Sequence, residues 1–382
     1  MTTRVLHVVA PFDRRDGICR AVDALAEHLP GVRSELCTSR VLAAGSAFED
    51  VHELGGSDAL FHISRRREIA RTVERTRADI VHLHGGIWTS LLGMSSASQV
   101  PVVHSVYAWP RAPSLRTIAR SSWREMRSSA VLPNRVLLST LIPRWAVRRA
   151  LERRRVAGVL TQDPRVAADL GPVERTRVRL MGGGGEVDEL RAAFDAERPT
   201  IVIAGKAETA RGIDTLLAAF PEVLAAIPSA RLRMLLLPGS QLPAIRRSVA
   251  SSGFAESIEI ATEPSADLRH AFARCTLGAF PFKYDGTTVA PPFTVVEAMS
   301  VGLPIVGTPV ACLRPILRPR ENGLLVPIDD PASLGSAIRT VLTDHGTWLD
   351  LSDGAVASVQ ERWSWSDAAA TTAGLYREVL AR

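Results

Sequence analysis

The chain has 382 residues, 46% of them apolar, 23% charged and 5% aromatic, which is a globular profile of two-domain length and excludes disorder as the default. Four cysteines, Cys19, Cys37, Cys275 and Cys312, share no CxxC spacing, so the sequence suggests neither a zinc site nor a disulfide framework and points to a reducing cytosol. The net charge of +6 is uneven: between Arg111 and Arg155 twelve arginines stand against Glu125 and Glu152, giving +10, while 34 bases and 38 acids elsewhere leave −4.

In chain order, RVLHVVA (4–10) reads as a buried parallel strand. It is too short an apolar run for a signal peptide, and no stretch approaches the ~18 apolar residues that span a bilayer, so a cytoplasmic protein, soluble or peripheral to a membrane, is expected. PFDRRDGICR follows as a loop containing Gly17, then AVDALAEHL with helical apolar spacing up to Pro30. SELCTSRVL and EDVHELG supply further apolar runs, RRREIARTVERTRAD an amphipathic helix, and IVHLHGG and VPVVHSVY two more strands. Such alternation predicts a doubly wound α/β domain. His82 and His84 share a strand face; two histidines without a third ligand make a poor metal site, and a structural role is expected.

The basic segment 111–155 interrupts this rhythm as a helical insertion, with Trp123, Met126, Val131, Leu141, Trp145 and Val147 available for an apolar face. Its charge suits an anionic membrane or an acidic substrate, and equally a solvated helical face. Nucleic acid is not expected, because no motif is present and only Trp123 and Trp145 are aromatic. AGVLTQD, PRVAADL and TRVRL then return to strand, helix and strand, running into Gly182–Gly185, which reads either as backbone for a close ligand approach or as a linker.

A second α/β repeat starts at Thr200 with TIVIAG. The loop GKAETARG (205–212) follows; it has neither the GxxxxGK(S/T) order of a P-loop nor GxGxxG, but it places Lys206 and Arg211 between glycines at the carboxyl end of a strand, a pair of cations suited to a diphosphate. Lys206 and Lys283 are the only lysines, and both follow strands. IDTLLAAFPEVLAAIP reads as a helix, RLRMLLLPG and SIEIAT as strands, DLRHAFARC as a helix and TLGAFPF as a strand. The stretch AFPFKYDGTTVAPPFTVVEAMSVGLPIVG (279–307) reads strand, loop, helix, strand. That order puts Tyr284, Asp285, Gly286, Thr287 and Thr288 in a loop at the sheet's carboxyl edge, with Glu297 on the second turn of the next helix. Pro291 and Pro292 carry no N–H, so backbone donors for a phosphate begin at Phe293 and Thr294. PASLGSAIRTVL and SWSDAAATTAGLYREVLAR are further helices.

Taken together, IAGKAETARGIDTLLAAF, VVEAMSVGLPIVGT, ENGLLVPIDDPASLGSAI, WSWSDAAATTAGLYREVL, ADIVHLHG and VPVVHSVY resemble, in order and spacing, the retaining glycosyltransferases of family 4, the group 1 glycosyl transferases. The resemblance covers nearly the whole chain. It implies the GT-B fold: two Rossmann-like doubly wound parallel-sheet domains facing a central cleft, with 1–192 on the acceptor side, 193–362 binding the nucleotide sugar, and a C-terminal helix over 363–382 packing back towards the first domain. It implies transfer of a hexose-type sugar from a nucleotide-diphosphate donor to a glycan, lipid-linked or small-molecule acceptor, with no metal and no other cofactor. Residue by residue, it implies that Lys206 and Arg211, next to Gly205, grip the diphosphate, that Glu297 holds the ribose hydroxyls, and that the loop with Asp16 and Gly17 faces the cleft. The family's first glutamate of E-x7-E is here Val289, which directs attention to Tyr284 and Asp285 for sugar contacts and admits a non-catalytic nucleotide-sugar binder or an epimerising relative as alternatives. Where the family commonly has a histidine the chain has Tyr107, with His104 on the same strand; either is a candidate to face the sugar, and core packing is the alternative for His104.

Overall fold

The computed structural model describes residues 2–43, 47–56, 61–86, 100–108, 144–153, 156–173, 176–262, 268–284 and 289–381. They fall into two compact units, the first comprising the described residues up to 183 together with 364–381, the second residues 184–363.

In the first unit the elements are β1 (Thr3–Val8), β2 (Phe12–Asp13), α1 (Gly17–His28), β3 (Val32–Thr38), β4 (Val41–Ala43), β5 (Asp50–Glu53), α2 (Phe61–Ser64), α3 (Arg66–Thr76), β6 (Ile80–Gly86), β7 (Val102–Ala108), α4 (Arg144–Arg153), β8 (Val156–Thr161), α5 (Pro164–Leu170) and β9 (Arg177–Leu180). Seven strands form one parallel sheet in the order β5-β3-β1-β6-β7-β8-β9, with β2 and β4 as a small separate pair. The central strands are buried on both faces because helices cover both. Leu6, Val8, Val81 and Leu83 pack with Ile69 and Val73 of α3, while the arginines of α3 turn outward.

The second unit contains β10 (Thr200–Lys206), α6 (Ile213–Ala226), β11 (Arg231–Leu237), α7 (Leu242–Ala250), β12 (Ile258–Ala261), α8 (Leu268–Ala273), β13 (Leu277–Phe280), α9 (Phe293–Ser300), β14 (Ile305–Gly307), β15 (Gly323–Leu325), α10 (Pro331–Thr343) and α11 (His345–Arg362). Its six parallel strands run β12-β11-β10-β13-β14-β15. Residues 184–192, which the sequence assigned to the first domain, pack on this unit. A Cβ on Gly184 would stand 3.0 Å from Val296, Gly185 N–H donates to Trp363 O at 3.2 Å, and Ala192 N–H donates to Val301 O at 2.7 Å. The division between the units therefore falls inside the glycine run, at 183/184.

The last helix, α12 (Trp365–Leu380), clusters with the first unit. Ser364 caps it by accepting from Asp367 N–H at 3.1 Å, and Leu375 lies so close to β8 that a Cβ on Gly158 would come within 2.8 Å of it. Tyr376 ends a buried polar row that crosses the sheet. Its hydroxyl meets His82 Nδ1 at 2.5 Å, His82 Nε2 meets Ser105 Oγ at 2.7 Å, and His84 Nδ1 meets the Tyr107 hydroxyl at 3.1 Å. His84 Nε2 and His7 Nδ1 are 2.9 Å apart, and His7 Nε2 reaches Ser34 Oγ at 3.3 Å. On the opposite face of β7, His104 is fully buried and, among the described residues, neither ring nitrogen has a hydrogen-bond partner.

Burial keeps these imidazoles neutral, holding His7 and His104 down at about 3 and His62 at about 4, and pushing His82 and His84 well below the ordinary range with help from neighbouring imidazoles. A base depressed on folding binds its proton more readily in the unfolded chain. The stability it confers is therefore complete above the ordinary imidazole value near 6.5 and is lost as pH falls, by about 1.4 kcal/mol per pH unit for each group. Urea unfolding of the first unit should show a steep loss of stability between pH 6.5 and pH 4. His104→Leu, which removes two unsatisfied nitrogens, should be neutral or stabilising at pH 7.5 and should flatten that slope. An unchanged slope would show that His104 does not share in the acid sensitivity.

Candidate functional site

The strand order of the second unit reverses between β10 and β13, the position at which open α/β sheets bind ligands beyond their carboxyl ends. After β10 the chain makes a short self-bonded turn. Glu208 N–H donates to Lys206 O at 2.8 Å, Arg211 N–H to Glu208 O at 3.0 Å and Gly212 N–H to Thr209 O at 3.1 Å. Ala207 anchors the turn to the following strand and loop, donating to Leu237 O at 3.0 Å and accepting from Gln241 N–H at 2.9 Å. Gly205 and Gly212 both have positive φ, 139° and 66°. Lys206 is exposed, and the Arg211 guanidinium lies 4.7 Å above the ring of the buried Phe282. The aromatic face is one of the contacts that hold the cation.

Beyond β13, α9 opens directly after Pro292 with no side-chain cap. Val295 and Val296 N–H both turn back to Pro292 O, at 3.0 and 3.3 Å, so the amides of Phe293 and Thr294 form the helix's leading edge. These amides and the helix dipole favour an anion. Thr294 and Glu297, three residues apart and both half-buried, lie on one face of the helix. Tyr284 is 9% exposed, and Val289 is half-buried in the position of the missing glutamate. Asp285, Gly286, Thr287 and Thr288 lie outside the described residues.

Lys283, the other lysine that follows a strand, is engaged by carboxylates. Its Nζ is 2.7 Å from Asp214 Oδ2 and 2.8 Å from Asp329 Oδ1. Burial alone would lower its pKa, but the two carboxylates outweigh it and the net shift is upward. The ammonium is thereby committed to its partners.

In the first unit, Asp16 caps α1, accepting from Ile18 N–H at 2.9 Å, and Gly17 is the first residue of that helix. Asp13 accepts from Arg15 Nε at 3.0 Å, and Arg14 Nε reaches the buried Asp23 at 2.8 Å. His104 and Tyr107 are 0% and 1% exposed, so both belong to the core described above. Sequence reasoning missed His7. It is the third imidazole beside His82 and His84, with one ligand-capable atom of each within 4.8 Å of the others. Every ring nitrogen of this trio already has a hydrogen-bonding neighbour, the pattern of a satisfied core network. His7 was detectable only through the parallel register that sets it opposite His82.

Two doubly wound parallel units in one chain, with cations and a helix N-terminus gathered at the switch point of the second, define the GT-B glycosyltransferase fold. Residues 198–344 match the sequence model of the glycosyl transferases group 1. The chain is 27% identical over 238 residues to the D-inositol 3-phosphate glycosyltransferase of Acidothermus cellulolyticus, covering 57% of this chain and 52% of that one. It is 27% identical over 196 residues to the phosphatidyl-myo-inositol mannosyltransferase of Mycolicibacterium smegmatis, covering 49% and 47%. It thus spans about half the length of these curated relatives. Among solved structures it resembles sucrose-phosphate synthase of Thermosynechococcus elongatus (TM-score 0.74, 17% identity, 99% of each chain covered) and HepE of Anabaena in complex with UDP and glucose (TM-score 0.69, 13% identity, 99% of each). At these identities the likeness is one of fold.

Gly212 is one of the positions where the two loops touch. A Cβ there would stand 1.9 Å from Pro281 O, on a backbone of positive φ. Gly212→Ala should destabilise the second unit by about 3 kcal/mol or more in urea unfolding, because neither backbone has room to yield. Gly253→Ala, with nothing within 4 Å, should change stability by no more than about 1 kcal/mol.

Proposed function

We propose that the protein is a retaining, metal-independent glycosyltransferase that moves a hexose-type sugar from a nucleotide-diphosphate donor to a glycan, lipid-linked or small-molecule acceptor. The observation that carries this reading is that the loop with Lys206 and Arg211 and the segment leading into α9, which bears Glu297, follow the two neighbouring strands of the β10/β13 switch point. In this reading Lys206, Arg211 and the amides of Phe293 and Thr294 take the diphosphate, Gly205 lets it approach the backbone, and Glu297 accepts from the ribose hydroxyls. Tyr284 faces the sugar. The acceptor hydroxyl oxygen bonds to the anomeric carbon, and the nucleoside diphosphate leaves with the bonding electron pair. The acceptor's proton ends on the diphosphate or in solvent. The protein's contribution is to stabilise the departing charge with preorganised cations and dipoles. Two side-chain cations supply the counter-charge that a divalent metal would otherwise supply.

The names of the two relatives refer to an inositol phosphate and a phosphatidyl-inositol, which supports an acceptor carrying phosphate, free or lipid-linked. No helix among the described residues is long and apolar enough to cross a membrane. In the described part of the basic segment, α4 buries Val147 and Leu151 and leaves Trp145 67% exposed. An exposed tryptophan on an arginine-rich helix supports peripheral contact with an anionic membrane. Val289 supports a second reading, a nucleotide-sugar binder without transfer.

A panel of UDP, GDP and dTDP should contain at least one ligand that stabilises the protein against heat, by about 2.7 kcal/mol at a hundred times its Kd. Lys206→Ala and Arg211→Ala should each lower kcat/KM about a hundredfold, as loss of a preorganised donor does, with activity unaffected by EDTA. No stabilisation by any of the three would contradict both readings, and binding without transfer to any acceptor would select the second. Co-sedimentation with liposomes rich in anionic lipid should be substantial at low salt and fall at high salt. Absence of binding at either salt would return the basic segment to a solvated helical face.

A further inference from the structure

Three consecutive residues after β13 contact three consecutive residues after β10. Lys283 N–H donates to Ala210 O at 2.9 Å, the Phe282 ring lies under the Arg211 guanidinium at 4.7 Å, and Pro281 O abuts Gly212 closely enough to forbid a Cβ there. A shift of residues 281–283 therefore moves Arg211. Besides that amide bond, this segment is held by Thr308 Oγ1–H, which donates to Phe282 O at 2.5 Å, and by the Lys283 ammonium. The ammonium ties it to two further elements: Asp214 on the first turn of α6, at 2.7 Å, and Asp329 in the turn ahead of α10, at 2.8 Å. Lys283 is 14% exposed, whereas its partners are 63% and 58% exposed, so the lysine is sheltered and the carboxylates close over it from outside.

Asp329 supplies an independent observation. It has φ of +58°, a left-handed conformation that glycine adopts freely and an aspartate adopts at some cost. The chain thus keeps a carboxylate where the backbone alone favours glycine. That carboxylate also accepts from Thr215 Oγ1 at 3.4 Å, on the same first turn of α6.

We propose that Lys283, clamped between Asp214 and Asp329, is a positioning residue that fixes the Arg211 guanidinium for the diphosphate. This rests on the donor-site reading above. Lys283 itself does not touch the ligand; it sets where Arg211 stands by holding the segment on which Arg211 lies. The clamp also leaves Lys206 and Arg211 as the cations of this loop pair assigned to the donor.

The test uses the full chain with four variants: Lys283→Met, which keeps the apolar stem, Lys283→Arg, Asp329→Gly, which relieves the backbone while removing the carboxylate, and Arg211→Ala. Two readouts are needed. Hydrogen exchange of the amides over 207–212, without nucleotide, should be faster in Lys283→Met and Asp329→Gly and near wild type in Lys283→Arg. Calorimetric affinity for UDP, GDP and dTDP should fall about tenfold in Lys283→Met, the cost of one misplaced charge-assisted hydrogen bond. Affinity for the matching monophosphates should stay within about twofold, since a general loss of structure would weaken both series alike. Wild-type exchange and affinity in Lys283→Met and Asp329→Gly, with Arg211→Ala still impaired, would overturn the clamp and leave the donor site standing. Failure of the wild-type protein to bind any of the diphosphates would overturn the donor site and with it the purpose assigned to the clamp.

Discussion

The pairing of β10 with β13 is the constraint on which the second unit depends. Ile201 lies opposite Leu277 and Val202 opposite Gly278, so strands some seventy positions apart become neighbours at the reversal of the strand order. On the other side of β13, Gly278 makes room for the Ile305 side chain of β14, which a Cβ there would approach to 2.8 Å. Everything assigned to the donor follows from the β10/β13 juxtaposition. The turn carrying Lys206 and Arg211 and the turn leading into α9 are brought side by side because their strands are, and the contacts from Ala210 to Gly212 and from Pro281 to Lys283 then lock one onto the other.

The electrostatics of the two units differ in kind. In the second, charge stands at the sheet's edge, where cations and a helix N-terminus favour an anion. In the first, the polar groups lie deep inside as neutral rows of imidazoles and hydroxyls, one from Ser34 through His7 and His84 to Tyr107 and one from Ser105 through His82 to Tyr376. Such a row is stable only while each member is bonded and uncharged, which makes it a device for joining α12 to the sheet. It leaves no ring nitrogen of the trio for a ligand without breaking a bond already made.

Much of this was legible in the sequence. The alternation of apolar runs and amphipathic helices foretold two doubly wound sheets, and GKAETARG and FTVVEAM were placed at the correct edge of the second because loops after strands in a parallel sheet share one edge. What was not legible depended on tertiary approach. Lys283 follows a strand as Lys206 does, and only the fold shows Asp214 and Asp329 arriving from other elements to hold it. The domain boundary was set nine residues too late because residues 184–192 have no strong pattern of their own and are fixed by packing on α9 and α11. Helix α11 escaped notice for a related reason: Gly346 and Gly354 dilute its periodicity, yet a Cβ on Gly354 would collide with Glu321 O at 1.8 Å. His104 is inward-facing, a matter of register that a single strand's sequence leaves open.

The central claim is that the β10/β13 edge of the second unit is a diphosphate site. A crystal structure of the protein with a nucleoside diphosphate tests it most directly. The account predicts phosphate density within hydrogen-bonding reach of the Arg211 guanidinium and of the Phe293 and Thr294 amides, with the ribose hydroxyls against Glu297 and Lys283 still held by Asp214 and Asp329. A nucleotide bound elsewhere, or one whose phosphates leave Arg211 on Phe282 without contact, would contradict it.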